Sequence, residues 1–496
     1  MKARVVEYLL VSVWKLISET FQMIGQPIIT ISELMKHIDD KVWNLYKKGL
    51  TCTLNQCDGD WATKLVKQYQ PHSLGELAKF VACIRPSFSS WRDKFLAREK
   101  YSTGSKDLDK VLESTDSYIL FQETLMQYFD WLGVSPAESI GLIKKISKKK
   151  IHQEDFDNLE GRLKKQWIIN TGSEDMFDET WKMIQSCISY GFAAPHALAV
   201  AIDNLYGAYL KANYPLEYYT VCLNNYSDDD EKTAKLTDEL SEFGIKILPV
   251  KFRHSQDVYS PDKEHNAIYK GVSSIKCLNS SVSKQMYEMR DMKFDSFIDF
   301  LKVNPCKSNQ LSILIKLNFF SEFGKSQKLL DIVNIVNKYG GRKQIFKDQT
   351  DLPRELILKY ATETEKMYKF TDINGLINEL CDNIENKNIP LSEQLSVQAE
   401  YLGYIEYINP KAKNYGYVLD INTKYSPRLK IYRLDTGETI DIKMSKKDYS
   451  KNPISKGDII KFTTQRKNKC RLVDGKWQKM LNEFEDWINA YSIKNI

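Results

Sequence analysis

The spacing of apolar residues changes character along this 496-residue chain, and that change limits what it can fold into. From residue 60 to 225 apolar side chains recur at helical intervals, broken at Pro71, Pro86, Gly133, Pro136 and Gly172. From residue 401 the runs YGYVLDI, PRLKIYRL, ETIDIKM and GDIIKFTTQ alternate apolar and polar positions between turn residues. The first pattern predicts a large helical block. The second predicts a small five-stranded barrel, because alternation gives a sheet one buried face and closure removes its edges. The length exceeds what one core can serve and suggests roughly three or four domains.

Between these blocks the pattern resolves further. PHALAVAIDNLYGAYLKANYP, residues 195–215, reads as one helix, with Pro195 at its start and Pro215 at its stop. Ala197, Ala201, Gly207 and Ala208 would let a neighbour approach closely. GIKILPVKF, 244–252, alternates like a short strand, and IYKGVSSIKCLNSSVSKQMYEMR, 268–290, reads as strand, turn, helix. Residues 325–400 read as helices with polar connectors, and WQKMLNEFEDWINAYSI as one closing amphipathic helix. The start, MKARVVEYLLVSVWKLISETF, has the basic and apolar order of an export signal. Glu7 interrupts the run and no small-residue cleavage site follows, so a buried strand leading into a helix is expected.

Composition removes several classes of function. With 42% hydrophobic and 27% charged residues and only 14 prolines, the chain is suited to fold rather than stay disordered. A formal charge of +6 is small for this length, so nucleic-acid binding would have to rest on local patches. Nine cysteines form no C-x-x-C pair; even Cys52 and Cys57 lack partners at zinc spacing, and reduced, buried thiols of a cytosolic protein are expected. The six histidines are dispersed, so no histidine-built metal centre is expected. No stretch reaches membrane-span length, and a soluble, cytoplasmic protein without a membrane partner is expected.

One basic run stands out. GLIKKISKKK, 141–150, carries Lys144, Lys145, Lys148, Lys149 and Lys150. On a helix, 144/148 and 145/149 are like-charge pairs at i, i+4, which cost a few tenths of a kcal/mol each. Either that face is solvated or an anion lies against it.

Six segments, in order, resemble a known family. IRPSFSS (84–90), FQETLM (121–126), LIKKISKKK, YGFAAPHALAVAIDNLYGAYLKANYPLEYY (190–219), GVSSIKCLNSSV (271–282) and LGYIEYINP (402–410) are similar to stretches of the alpha subunit of bacterial DNA polymerase III, a C-family replicative polymerase. The resemblance runs from about residue 5 to about residue 470. It implies a mainly α, multidomain fold. Residues 1–50 would be a remnant of the palm edge with a connecting helix, and 51–230 a helical fingers-like domain. A strand and helix-hairpin-helix module would occupy 231–330, a helical connector 331–400, an OB-like β-barrel 401–475 and a C-terminal helix 476–496.

The same resemblance suggests site residues. Lys144, Lys145, Lys148 and Lys149, with Arg85, would meet the triphosphate of an incoming deoxynucleotide through charge-assisted hydrogen bonds. The family's arginine pair becomes Ile143 and Lys144 or Lys144 and Lys145, according to register, and Ser147 replaces a glycine. Lysine lacks the bidentate grip of arginine, which would weaken nucleotide binding. Tyr190 and Phe192 would stack near a base or pack a turn, and His196 is a nucleotide-facing or structural histidine. GVSSIKCLNSS looks like half of a helix-hairpin-helix, whose helix N-terminus holds a DNA phosphate. Gly271, Lys276 and Lys150 are DNA-binding candidates there and in the basic run, with Asn279 at the position that needs positive φ, where glycine is usual. In the barrel, Tyr415, Arg428 and Lys430, beside Tyr417 and Tyr432, would take single-stranded DNA by stacking and charge. QLSVQ, 394–398, faintly resembles a sliding-clamp peptide without its aromatic end.

Nucleotidyl transfer needs two Mg²⁺ ions about 3.5–4 Å apart, clamped by carboxylates. In the family three palm aspartates do this. Two have no counterpart here, and Glu7 stands at the third. The pairs Asp58/Asp60, Asp107/Asp109 and Asp155/Asp157 lie in polar surroundings of the helical block and read as solvated surface. Mg²⁺ is therefore expected only if a separate palm-bearing chain supplies the site. The expected ligands are primer–template DNA and a deoxynucleoside triphosphate. The alternative is a catalytically inert DNA-binding or replisome-interacting protein derived from such a polymerase.

Overall fold

Helices fill the first of two units into which the chain divides in the computed structural model: residues 1–246 with 261–268, and residues 247–260 with 269–496. The structure describes residues 2–147, 153–188, 192–473 and 476–494, the side chains of 2–12, 470–473 and 476–478 being among those left aside.

The helix Ala194–Asn213 organises the first unit. Pro195 starts it and it stops just ahead of Pro215, as the prolines require. Ala197, Ala201, Leu205 and Ala208 are fully buried. At Gly207 a Cβ would sit 3.1 Å from Leu54 and 3.3 Å from the Tyr218 hydroxyl, so the small residue is what allows the close approach. Lys211, wholly buried, donates to the carbonyls of Leu50 (3.0 Å) and Cys52 (2.7 Å) and to Glu239 (2.6 Å). That clamp holds a loop in which Thr53 takes a left-handed backbone at φ 69°.

The strand expected near the N-terminus is instead part of a helix, Lys2–Ile24. A strand needs a neighbour for its backbone groups, whereas a helix satisfies its own. Glu7 stands in that helix, its side chain outside the described residues.

Short strands β1 (Lys246–Leu248), β2 (Ser260–Asp262) and β3 (Ala267–Tyr269) belong to a sheet ordered β1-β3-β2. A phenylalanine-rich core around Phe252, Phe297, Phe300 and Phe320 follows. Residues 325–400 hold more than helices. β4 (Gln344–Phe346), β5 (Ala361–Glu363) and β6 (Met367–Phe370) form an antiparallel sheet ordered β4-β6-β5. Runs of three or four residues are too short to show a period of two against polar surroundings.

The barrel closes in the order β10-β11-β9-β8-β7, with β7 Tyr415–Asn422, β8 Arg428–Arg433, β9 Thr439–Lys443, β10 Ile459–Val473 and β11 Lys476–Lys494. Val418, Leu429, Ile431, Ile442, Ile460, Phe462 and Ile488 fill it. The closing helix expected at the C-terminus is strand β11, antiparallel to β10 from Ile459↔Lys494 to Val473↔Lys476. From Asn482 to Trp487 exposure alternates residue by residue, the period of a strand. Ile488 then enters the core, and a register shift between Thr463 and Thr464 follows it, with Asn489 as the extra residue. The apolar spacing fits a helix as well, and the long template strand β10 decides the outcome.

Candidate nucleotide and nucleic-acid interface

Three of the resembling segments converge in the first unit. Arg85 leads into a short 3₁₀ turn, Pro86–Phe88. Its guanidinium lies 4.4 Å from the centre of the Phe192 ring. Phe192 pairs with Phe121 in a single parallel bridge, and its carbonyl accepts from the Gln122 N–H at 3.1 Å. Glu123 accepts from the Ala194 N–H at 2.8 Å, tying the segment to the start of the long helix. The exposed His196 ring meets Phe192 edge-on at 5.0 Å.

Arg85 is electrostatically unusual. Among the described residues its buried Nε has no hydrogen-bond partner and no carboxylate forms an ion pair with it. Burial pulls its guanidinium below the ordinary arginine value. A cation held against an aromatic face, short of water and of counter-charge, is favourable for an anion and costly without one.

Lys144 and Lys145 are exposed in the last turn of the helix Pro136–Ser147, which packs against Gln122–Trp131 and Phe177–Ile188. Positive charge there offsets the negative end of the helix dipole, a structural use that needs no ligand. Lys148, Lys149, Lys150 and Tyr190 lie outside the described residues. Asp58 and Asp60 are engaged by Lys232 (2.7 Å) and Lys235 (2.9 Å), and Asp109 accepts from Ser102 (2.7 Å) and the Thr103 N–H (2.8 Å). Among the described residues no group of three His, Cys, Asp or Glu side chains stands ready to hold a metal ion.

In the second unit the hairpin corrects one expectation. Strand β3, a 3₁₀ turn at Val272–Ser274 and the helix Ser280–Glu288 follow the predicted order. Asn279, however, is extended at φ −136° and caps that helix, its side chain accepting from the Val282 N–H at 3.1 Å. A capping side chain needs that extended backbone. The left-handed position falls on Cys277, at φ 71°. Gly271 is required for another reason: a Cβ there would lie 2.4 Å from the Val258 backbone. Lys276 is exposed, its own N–H bound to the Tyr401 carbonyl at 2.9 Å.

Near the barrel several cations are matched by carboxylates. Lys270, mostly buried, bonds Glu406 at 2.6 Å and lies over the Tyr404 ring at 3.9 Å. Lys443 pairs with Glu485 at 2.6 Å. Arg428 and Lys430 are exposed on the outer face, and Lys430 stands in register between Asp420 and Asp441. Tyr415 is half-buried with Lys461 5.5 Å from its ring, while Tyr432 spends its hydroxyl on the Ile405 and Tyr407 carbonyls. A cavity of about 780 Å³ beside the barrel is lined by Tyr404, Tyr417, Leu419, Lys430, Tyr432 and Lys456, among others. The QLSVQ segment overlaps the helix Leu391–Val397 with Leu395 and Val397 buried, so it is not presented as an extended peptide. No helix among the described residues is long and apolar enough to cross a membrane.

Sequence reading passed over Trp61 and Arg92, which pack together at 4.8 Å. The only sign of the former was a tryptophan set among polar residues in DGDWATK.

Comparison with known proteins matches two stretches of the sequence to known families. Residues 14–166, which include Arg85 and the lysine-bearing helix, match the family described as the bacterial DNA polymerase III alpha subunit finger domain. Residues 244–330, which include Gly271, Cys277 and Asn279, match a helix-hairpin-helix motif. The DNA polymerase III subunit alpha of Bacillus subtilis (strain 168) is 26% identical over 381 residues, covering 74% of this chain and 32% of its own length. That of Staphylococcus aureus (strain MRSA252) is 27% identical over 352 residues, 66% of this chain and 32% of its own. That of Campylobacter jejuni is 28% identical over 310 residues, 59% of this chain and 25% of its own. The chain thus resembles part of a DNA polymerase III alpha subunit and spans about a third or less of the relatives it matches.

Proposed function

We propose that this chain is the fingers-to-barrel portion of a DNA polymerase III alpha-type protein acting in DNA replication. It binds primer–template DNA and an incoming deoxynucleoside triphosphate. The observation that carries the reading is Arg85: a guanidinium on Phe192 whose buried Nε has no partner, and with which no carboxylate pairs, among the described residues. A phosphate would supply the missing charge and hydrogen bond, with His196 beside the same ring. The lysines of the 141–150 run would add longer-range attraction.

The acidic residues described do not fit two Mg²⁺ ions, since Asp58 and Asp60 are committed to lysines and no carboxylate cluster forms among the described residues. Bond formation is therefore assigned to a palm carried by another polypeptide segment. The same observation favours a second reading, an inert DNA-binding protein of polymerase ancestry. Primed-template extension separates them. The chain mixed with a palm-bearing fragment and Mg²⁺ should extend the primer well above the fragment alone. Extension no faster than the fragment alone, with DNA binding intact, would leave the inert binder standing.

A further inference from the structure

Trp61 stands in the first turn of the helix Asp60–Tyr69 and is 51% exposed. Tryptophan is costly to leave in water, and one cation is fixed against this one. The Arg92 guanidinium lies 4.8 Å from the ring centre. Arg92 cannot easily leave, because its Nε donates to the Cys83 carbonyl at 3.0 Å and its Nη2 to the Arg85 carbonyl at 2.8 Å. Among the described residues no carboxylate forms an ion pair with it. The acids nearest in sequence to Trp61 are occupied elsewhere, Asp58 by Lys232 and Asp60 by Lys235.

A rigid aromatic plane backed by an uncompensated cation is the arrangement that takes an unpaired nucleobase: the base stacks on the ring while the positive charge draws the adjoining phosphate. We propose that Trp61, held by Arg92, is a stacking platform for one unpaired base of single-stranded DNA. Through the Arg92–Arg85 hydrogen bond the platform is joined to the residue assigned to the triphosphate, so a template base ahead of the primer end is the natural occupant. This proposal rests on the nucleic-acid reading above and adds a specific contact to it.

The test uses the full chain and a fluorescein-labelled oligothymidylate of twelve residues, with affinity read by anisotropy at fixed salt. Trp61→Ala should weaken binding about ten-fold, Trp61→Phe should keep most of it, and circular dichroism should be unchanged in both. An abasic oligomer of equal length, which keeps the phosphates and lacks the bases, should bind parent and Trp61→Ala equally. Equal affinity of parent and Trp61→Ala for the oligothymidylate overturns the platform, as does an equal loss on the abasic oligomer. If the parent itself binds neither oligothymidylate nor primer–template, the nucleic-acid reading falls, and the platform with it. If it binds both and only the Trp61 effect is missing, the platform alone falls.

Discussion

Arg85 and Lys270 are both cations withdrawn from water beside an aromatic ring, one in each unit, and they differ in what answers them. Lys270 has Glu406 at 2.6 Å and the Tyr404 ring beneath it. Among the described residues Arg85 has the Phe192 ring, no ion pair and an unpartnered Nε. A matched cation holds its unit together and has little left for a ligand. An unmatched one contributes little to folding and is open to an anion from outside. Counting lysines and arginines cannot make that distinction; locating the carboxylates does.

Disrupting matched cations should cost the most stability. Lys211→Met removes three hydrogen bonds and leaves Glu239, close to buried, with Tyr219 and the Cys52 N–H as its partners among the described residues. Its unit should lose about 3–5 kcal/mol in urea denaturation. Lys270→Met should cost less, about 2 kcal/mol, because Glu406 is partly open to solvent. A loss under half a kcal/mol at both sites would mean the pairs do not bear on folding.

A buried acid tests the same rule with the sign reversed. Asp203 is 6% exposed, and burial pushes its carboxyl up to about 6, against the lowering effect of a hydrogen bond from Trp14. The native state thus holds this proton more tightly than the unfolded chain, whose aspartate titrates near 3.8. The stabilisation is complete below about 4 and is lost as pH rises through about 6. Asp203→Asn should flatten the stability profile between pH 4 and 7, its gain over the parent growing from near zero at pH 4 to about 2 kcal/mol at pH 7. Parallel profiles would contradict it. Smallest of all, Arg85→Met should leave unfolding unchanged or raise stability by about 1 kcal/mol, since it removes a poorly compensated charge. A loss above 2 kcal/mol would make Arg85 structural.

Much of the architecture could be read from spacing: the helix between Pro195 and Pro215, the strand-turn-helix at 268–290 and four of the five barrel strands. The C-terminal segment misled because its apolar residues satisfy both periods, and only β10 as a template decides between them. Likewise Asn279 was assigned the left-handed turn on residue preference. The helix starting at Ser280 needed a cap more, and the strain passed to Cys277. At the candidate site, segment resemblance pointed to Arg85 and Phe192 separately. Their stacking across more than a hundred residues, and the absence of a carboxylate ion pair at Arg85 among the described residues, are tertiary facts. So is the contact of Trp61 with Arg92, which no local pattern encodes.

The most direct measurement is a titration of a fluorescent deoxynucleoside triphosphate against the parent, Arg85→Met and Lys270→Met proteins at one ionic strength. Arg85→Met should weaken binding at least ten-fold while remaining folded, and Lys270→Met should bind like the parent. Equal affinity of Arg85→Met and parent would show that the unanswered charge on Phe192 is not where the triphosphate lies.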